Sequence, residues 1–171
     1  RLFEKSPVTK VVSLNENVTS MTNMFSNSTS NSLDLSVFDT SGVTDMFQMF
    51  YASKVTSLDL SSFDTSNVVK MRQMFQNSLL TDLNVSSFDT SNVTDMQAMF
   101  YGIKVSSLDL SNFNTSKVAV LDVMFYGLNL DVLDLSSFDT SNATSMKNMF
   151  SNSKIKKAYA KTYEDASRMN L

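Results

Sequence analysis

Residues 58–67 read LDLSSFDTSN, and the same ten letters return at 133–142. Near copies fill the interval and precede it. Leu33, Leu58, Leu83, Leu108 and Leu133 keep a spacing of 25, as do Phe38, Phe63, Phe88, Phe113 and Phe138. Met24, Met49, Met74, Met99, Met124 and Met149 share that period, each followed by Phe. Thr-Ser recurs at 40–41, 65–66, 90–91, 115–116 and 140–141. Self-similarity at a fixed period of this length is the signature of a stacked-repeat architecture, and it decides the fold before any local assignment.

One copy, residues 55–79, reads VTSLDLSSFDTSNVVKMRQMFQNSL. Its start alternates, so Leu58 and Leu60 face one way while Ser57, Asp59 and Ser61 face the other, which predicts a short strand. Phe63 enters the core from a turn. The DTSN that follows is turn and helix-start chemistry, because its short polar side chains bind nearby backbone. Val68, Met71, Met74 and Phe75 then recur at helical spacing and predict a helix of two to three turns. A lone unit lacks the apolar area to offset its own ordering, so each copy must serve as the next copy's core. Parallel strands repeat at about 4.8 Å and packed helices at about 8–10 Å. The expected fold is therefore an α/β repeat: a curved right-handed solenoid, strands on the concave side and short helices on the other.

The whole chain, 1–171, reads as a single repeat domain. Residues 1–14 are expected to form an N-terminal cap strand, mainly over 8–14. Repeats of 25 residues fill 15–154. Residues 155–171 form a C-terminal cap, with a strand over 155–161 and a short helix over 163–169. Lys154, Lys156, Lys157 and Lys161 keep that cap soluble.

Composition narrows the function classes. The 171 residues are 42% hydrophobic and 18% charged, which suits a folded core. A net charge of −3 argues against a nucleic-acid partner. No Cys and no His are present, so disulfides, thiol nucleophiles, imidazole metal sites and Ser-His-Asp triads are excluded. No apolar run reaches membrane-spanning length. No signal peptide is visible and the first residue is Arg1, which reads as an excised or mature segment. With three glycines there is no Gly-rich phosphate loop, and irregularity lies only at the ends. The chain is expected not to be an enzyme and to be a monomer.

The string LDLSSFDTSNVTDMxxMF, read across the copies, resembles the BspA-like leucine-rich-repeat surface proteins of bacteria. Residues 83–100, LNVSSFDTSNVTDMQAMF, match almost throughout, and the resemblance covers about 24–158. Many members carry Cys followed by Ser-Leu after the Met-Phe segment. Here that place holds Ser28, Ser53, Ser78, Ile103, Leu128 and Ser153. The resemblance implies a cell-surface or secreted bacterial protein that adheres to a host glycoprotein, mucin or extracellular-matrix protein. The alternative is a stalk that presents another domain. Binding residues are not shared across that family, so none is transferred.

Candidate contact residues come from the rows that the period creates. Asp34, Asp59, Asn84, Asp109 and Asp134 share one outward strand position. Adjacent carboxylates at strand spacing repel by about 1 kcal/mol even in a water-like dielectric. A Ca²⁺ ion along the row would offset this, as would a basic ligand, but solvated aspartates bonded to neighbouring Ser and Thr are preferred. Ser57, Asp82 and Ser107 flank that row and vary between copies. Thr56, Thr81, Ser106, Asp131 and Val132 extend the same varying surface. A second row, Asp39, Asp64, Asp89, Asn114 and Asp139, precedes each Thr-Ser and reads as Asx-turns or helix caps. Tyr51, Tyr101 and Tyr126 align after Met-Phe, with Gln76 between. They suit either sugar or protein recognition or simple edge packing.

Overall fold

The computed structural model describes residues 2–10 and 17–171. Its organising feature is backbone pairing between copies. β1 (Ser57–Asp59) runs parallel to β2 (Asp82–Asn84), with Ser57 opposite Asp82 and Leu58 opposite Leu83. β3 (Asn129–Leu135) and β4 (Lys154–Ala160) pair likewise, from Asn129↔Lys154 to Leu135↔Ala160. Single parallel bridges Lys10↔Asp34 and Ser32↔Ser57 carry this strand row toward the N-terminus. A second parallel row joins Ser20, Asp45, Lys70, Asp95, Val120 and Ser145. Along β1 the alternation has its expected effect: Leu58 and Leu60 are buried, while Ser57 and Asp59 are exposed.

The helix expected over Val68 to Phe75 is absent, and its counterparts in the other copies are absent too. Residues 71–78 instead form three linked turns, closed by Met74 N–H to Met71 O, Gln76 N–H to Gln73 O and Ser78 N–H to Phe75 O. The intervening N–H groups of Met71, Gln73, Phe75 and Asn77 leave the copy. They donate to the carbonyls of Asp95, Gln97, Met99 and Tyr101 at 2.8–3.1 Å. A helix would keep those bonds inside the segment and would need negative φ throughout. Here Gln73 and Asn77 sit at φ 58° and 57°. The apolar spacing was read correctly as one buried face, but a run of turns with left-handed residues produces the same face. The wider helix row, on which the expected shallow curvature rested, is therefore missing. A backbone-bonded turn row repeats at strand-like spacing, so it is no wider than the strand row it stands beside.

Inside lie two aromatic columns. Phe25, Phe50, Phe75, Phe100, Phe125 and Phe150 stack with centroids 5.5–6.0 Å apart and nearly parallel rings. Phe88, Phe113 and Phe138 stack at 6.4 Å. Met71, Met74, Val68 and their counterparts fill the space between them. Between the strand row and the turns runs a column of buried threonines. Thr90 Oγ1 donates to Asn114 O (2.9 Å) and accepts from Asn114 N–H (2.8 Å). Thr40 and Thr115 repeat both bonds one copy away. Thr65 repeats the donated bond.

Of the expected N-terminal cap strand, residues 1 and 11–14 lie outside the described residues. Of the described part, Lys10 pairs with Asp34 in the strand row, as the strand over 8–14 requires, and residues 2–8 add a turn outside that expectation. Phe3 stacks on Phe25 at 5.4 Å. Its N–H donates to Met24 O, as Phe50 N–H does to Met74 O. Lys5, at φ 57°, takes the place of Ala52, and Ser6 and Val8 take those of Ser53 and Val55. The segment is thus a further Met-Phe turn, with Leu2 in the Met position. It lies 22 residues rather than 25 before Phe25, which hides it from a fixed-period reading.

At the other end, α1 (Tyr163–Met169) begins at Thr162, whose hydroxyl accepts from Asp165 N–H, and ends at Asn170 in the left-handed region. Met169 is buried against the last copy. Asp165 is 7% exposed, and its Oδ1 accepts from the N–H (2.9 Å) and hydroxyl (2.7 Å) of Thr140. It gives the hydroxyl of the last threonine in the column the acceptor that a further copy's carbonyl would supply.

Candidate binding face

The strands place Ser57, Asp59, Asp82 and Asn84 outward on β1–β2 and Asp134 outward on β3, with Asp34 at the N-terminal margin; Ser107 and Asp109 are exposed at the corresponding positions of a copy that forms no strand. Most of their polar atoms are already engaged. Oδ1 of Asp34, Asp59, Asp109 and Asp134 accepts the N–H of Ser36, Ser61, Ser111 and Ser136, at 2.9–3.2 Å. Asn84 Oδ1 accepts Ser86 N–H in the same way (3.0 Å). Each is an Asx-turn that ends the strand. These bonds hold the four carboxyls below the usual aspartate range: Ser36 and Ser136 mainly through their hydroxyls, Ser61 and Ser111 mainly through their backbone N–H. The repulsion expected along the row is relieved where Asn84 Nδ2 donates to Asp59 (3.0 Å), and Ser57 Oγ donates to Asp82 (3.0 Å). Lys10 meets Asp34 at 3.4 Å and Lys156 meets Asp131 at 2.7 Å. Among the described residues no three acidic groups converge as a metal site.

The second row behaves as Asx-turns rather than helix caps. Oδ1 of Asp39, Asp64, Asp89, Asn114 and Asp139 accepts the N–H two residues on, at 2.9–3.0 Å, and no helix follows.

The tyrosine row is less open than a recognition platform needs. Tyr101 and Tyr126 stack on each other at 4.3 Å with rings 2° from parallel, so each covers one face of the other. Burial, then the neighbouring Tyr126, pushes the Tyr101 hydroxyl above its usual range. The Tyr126 hydroxyl also accepts from Asn152 Nδ2. Tyr51 stands apart from this pair, across Gln76. Column packing accounts for these rings.

The strand face keeps free character toward its C-terminal end. Val132 is 48% and Tyr159 52% exposed, and Tyr159 sits opposite Asp134 in the β3–β4 register. Tyr159 escaped the sequence reading because the last copy has lost its Leu-Asp-Leu letters. Its position 25 residues after Asp134 was the available signal. Among the described residues Ser107 makes no hydrogen bond, and Oδ1 is the oxygen that the Asx-turn N–H engages on Asp109 and on Asp134. No helix among the described residues is long and apolar enough to cross a membrane.

The chain belongs to the family described as Mycoplasma protein of unknown function, DUF285, which it matches over residues 10–106 and again over 55–165. No curated protein and no solved structure matches it.

Proposed function

We propose that this member of the family is a non-catalytic binding module of BspA-like type, a right-handed leucine-rich-repeat-like solenoid carried on a bacterial surface or secreted. In this reading it adheres to a host glycoprotein, mucin or matrix protein through the outward strand face. The observation that carries the reading is the outward side of β3–β4, where exposed Val132 and Asp134 lie opposite Lys157 and Tyr159, with Ser107 and Asp109 exposed in the copy before. Strand-borne side chains are already ordered, so binding them costs little conformational freedom. An exposed Tyr beside Val supplies an anchor of the kind that dominates interfaces. Asp134 and the Tyr159 hydroxyl beside the Lys157 ammonium offer both acceptors and donors, which favours a hydroxyl-rich ligand.

The test is retention of mucin, fibrinogen, fibronectin and whole cells on the immobilised chain. Retention of at least one is expected. Asp109→Ala with Tyr159→Ala should abolish it and leave melting nearly unchanged. Loss with Tyr51→Ala plus Tyr101→Ala instead would move the contact to the tyrosine row. No retention of any probe would favour the stalk reading.

A further inference from the structure

The strand row turns a corner midway. In β3, Asp131 and Val132 are both exposed, with Leu130 and Leu133 buried on either side. The same break in alternation falls at Thr56–Ser57, Thr81–Asp82 and Ser106–Ser107. Residues before the corner therefore look out on a different face from Asp59, Asp109 and Asp134. Along that face runs the row Lys54, Leu79, Lys104, Asn129 and Lys154, all exposed. Val55, Leu80, Val105 and Leu130, each the next residue in the chain, are buried and anchor it. The N–H groups of Lys54, Leu79 and Lys154 donate to the carbonyls of Ser28, Ser53 and Leu128 at 2.6–3.0 Å, and that of Lys104 donates to Leu80 O at 2.8 Å. Elsewhere lysines meet carboxylates: Lys10 with Asp34, Lys70 with Asp45, Lys156 with Asp131 and Lys161 with Asp139. Among the described residues the ammonium groups of Lys54, Lys104 and Lys154 meet none and make no hydrogen bond. Leu79 and Asn129 between them bring no charge. Two copies separate each ammonium from the next, about 9–10 Å at strand spacing, close to a Debye length at physiological salt. The row thus holds three unpaired positive charges with little mutual repulsion.

We propose that this row binds a linear acidic glycan laid along the stack, with a carboxylate or sulfate on every second sugar. Two linked sugar rings span close to two copies, so each acidic group meets one ammonium of Lys54, Lys104 and Lys154. Leu79, 49% exposed, offers apolar surface to the sugar between the first two. Two residues further along the chain, Thr56, Thr81 and Ser106 add a row of hydroxyls. Thr81 Oγ1 donates to Thr56 O at 3.1 Å and keeps its lone pairs for a sugar hydroxyl. Charge complementarity selects this partner, and the neighbouring face narrows it. Asp59, Asp82 and Asp109 line the far side of the corner, so an anionic partner is held to a single line and a broad anionic membrane surface is repelled. Single-stranded nucleic acid needs aromatic rings on which its bases stack, and neither the lysine row nor the hydroxyl row carries one. The site lies apart from the strand-face contact and does not rest on it.

Fluorescence anisotropy of end-labelled oligosaccharides, titrated with the 171-residue chain, tests the proposal. The probes are hyaluronan, with a carboxylate on every second sugar, and chondroitin sulfate, which adds a sulfate. At least one should bind while neutral dextran does not, and the tighter of the two names the acidic group. Affinity should fall about tenfold between about 50 and 200 mM salt, as charge contacts release counterions. Lys54→Gln with Lys104→Gln and Lys154→Gln should weaken binding about tenfold or more and leave melting unchanged, because all three side chains are exposed. Leu79→Asp should weaken it without removing a lysine. Lys70→Gln with Lys117→Gln and Lys147→Gln makes the same change in net charge outside the row and should have no effect. Asp109→Ala with Tyr159→Ala, which tests the strand face, should also have none. No binding of either glycan overturns the proposal. So does a control triple as damaging as the row triple, loss of the glycan with the Asp109 and Tyr159 pair, or equally tight binding of single-stranded DNA or phosphatidylserine vesicles.

Discussion

Replacing Thr90 by Val keeps the side chain's shape and removes only its hydroxyl. Thr90 is fully buried, and its oxygen both donates to Asn114 O and accepts from Asn114 N–H across the boundary between copies. Two neutral hydrogen bonds contribute about 0.5–1.5 kcal/mol each, and a buried partner left unsatisfied costs about 1–3 kcal/mol. The Asn114 side chain is exposed, so water can reach its backbone in part, and the expected loss is about 2–3 kcal/mol. For a chain of this size that lowers Tm by roughly 5–10 °C. Thr90→Ser is the control. It keeps both bonds and loses one methyl, a change worth about 1 kcal/mol. Thermal unfolding followed by circular dichroism reads both variants. If Thr90→Ser is more damaging than Thr90→Val, the column acts by filling space rather than by joining copies, and the reasoning fails.

Ser53 gives the opposite sign, since its hydroxyl is buried without a partner. Ser53→Ala should leave Tm unchanged or raise it, whereas Ser78→Ala, which loses a 2.8 Å bond to Phe75 O, should lower stability by about 1 kcal/mol. Val123 holds φ at 50°, a left-handed conformation that a β-branched residue adopts only under strain. Val123→Asn should therefore stabilise by about 1 kcal/mol, seen as a higher urea midpoint with unchanged slope. The Asx-turn aspartates, Asp59 and Asp64 among them, have folded pKa values below the ordinary 3.8. The folded state thus favours their charged form. Their stabilisation is complete above that value and is lost as pH falls through the lower folded values. Tm should hold from neutral pH down to about 5 and then drop below about 4; a Tm that rises on acidification would mean that repulsion along the row outweighs the turns.

The period made the core legible. Leu58, Phe63, Val68, Met74 and Phe75 were assigned inward from spacing alone, and all are buried. The turn chemistry of Asp64 and its row was legible for the same reason, since Asp, Ser and Asn bind nearby backbone whatever follows. The helix was not, because spacing reports only which side chains share a face. The discriminating signal lay in the residues between. Asn23, Gln48, Gln73 and Asn148, with Asn27, Asn77 and Asn152, hold the left-handed positions, along with Gly102 and Gly127. Asn fills both positions only at Asn23 with Asn27 and at Asn148 with Asn152. Asn or Gly fills one of the two at Asn77, Gly102 and Gly127, while Gln48 and Ala52 supply neither. The signal for paired turns over a continuous helix is thus present in five of the six copies and partial in three of those. The N-terminal turn was hidden by its three-residue shortfall. The sequence also turned Ser107, Asp109 and Asp134 outward, and all three are exposed. It could not show which oxygens the Asx-turns already consume, because that depends on rotamers fixed by the strand-to-turn geometry.

Consumption of surface groups by the fold itself governs where a ligand can gain anything. In the middle of the strand face, Ser57 bonds Asp82 and Asn84 bonds Asp59, so a ligand there must replace bonds that exist. Replacement of a satisfied group yields little net free energy, whereas pairing a free one or covering exposed apolar area yields more. Repeat identity produces the first situation. Equal rows let each copy satisfy its neighbour, and a perfectly regular array would be a perfectly satisfied one. Deviation produces the second. Val132 stands where other copies carry Ser57, Asp82 or Ser107, and Tyr159 stands where they carry Asp or Asn. Neither can engage its neighbours as those polar residues do, and each leaves apolar surface open to water. The binding surface proposed on the strand face therefore lies where the chain's repeat stops being a repeat.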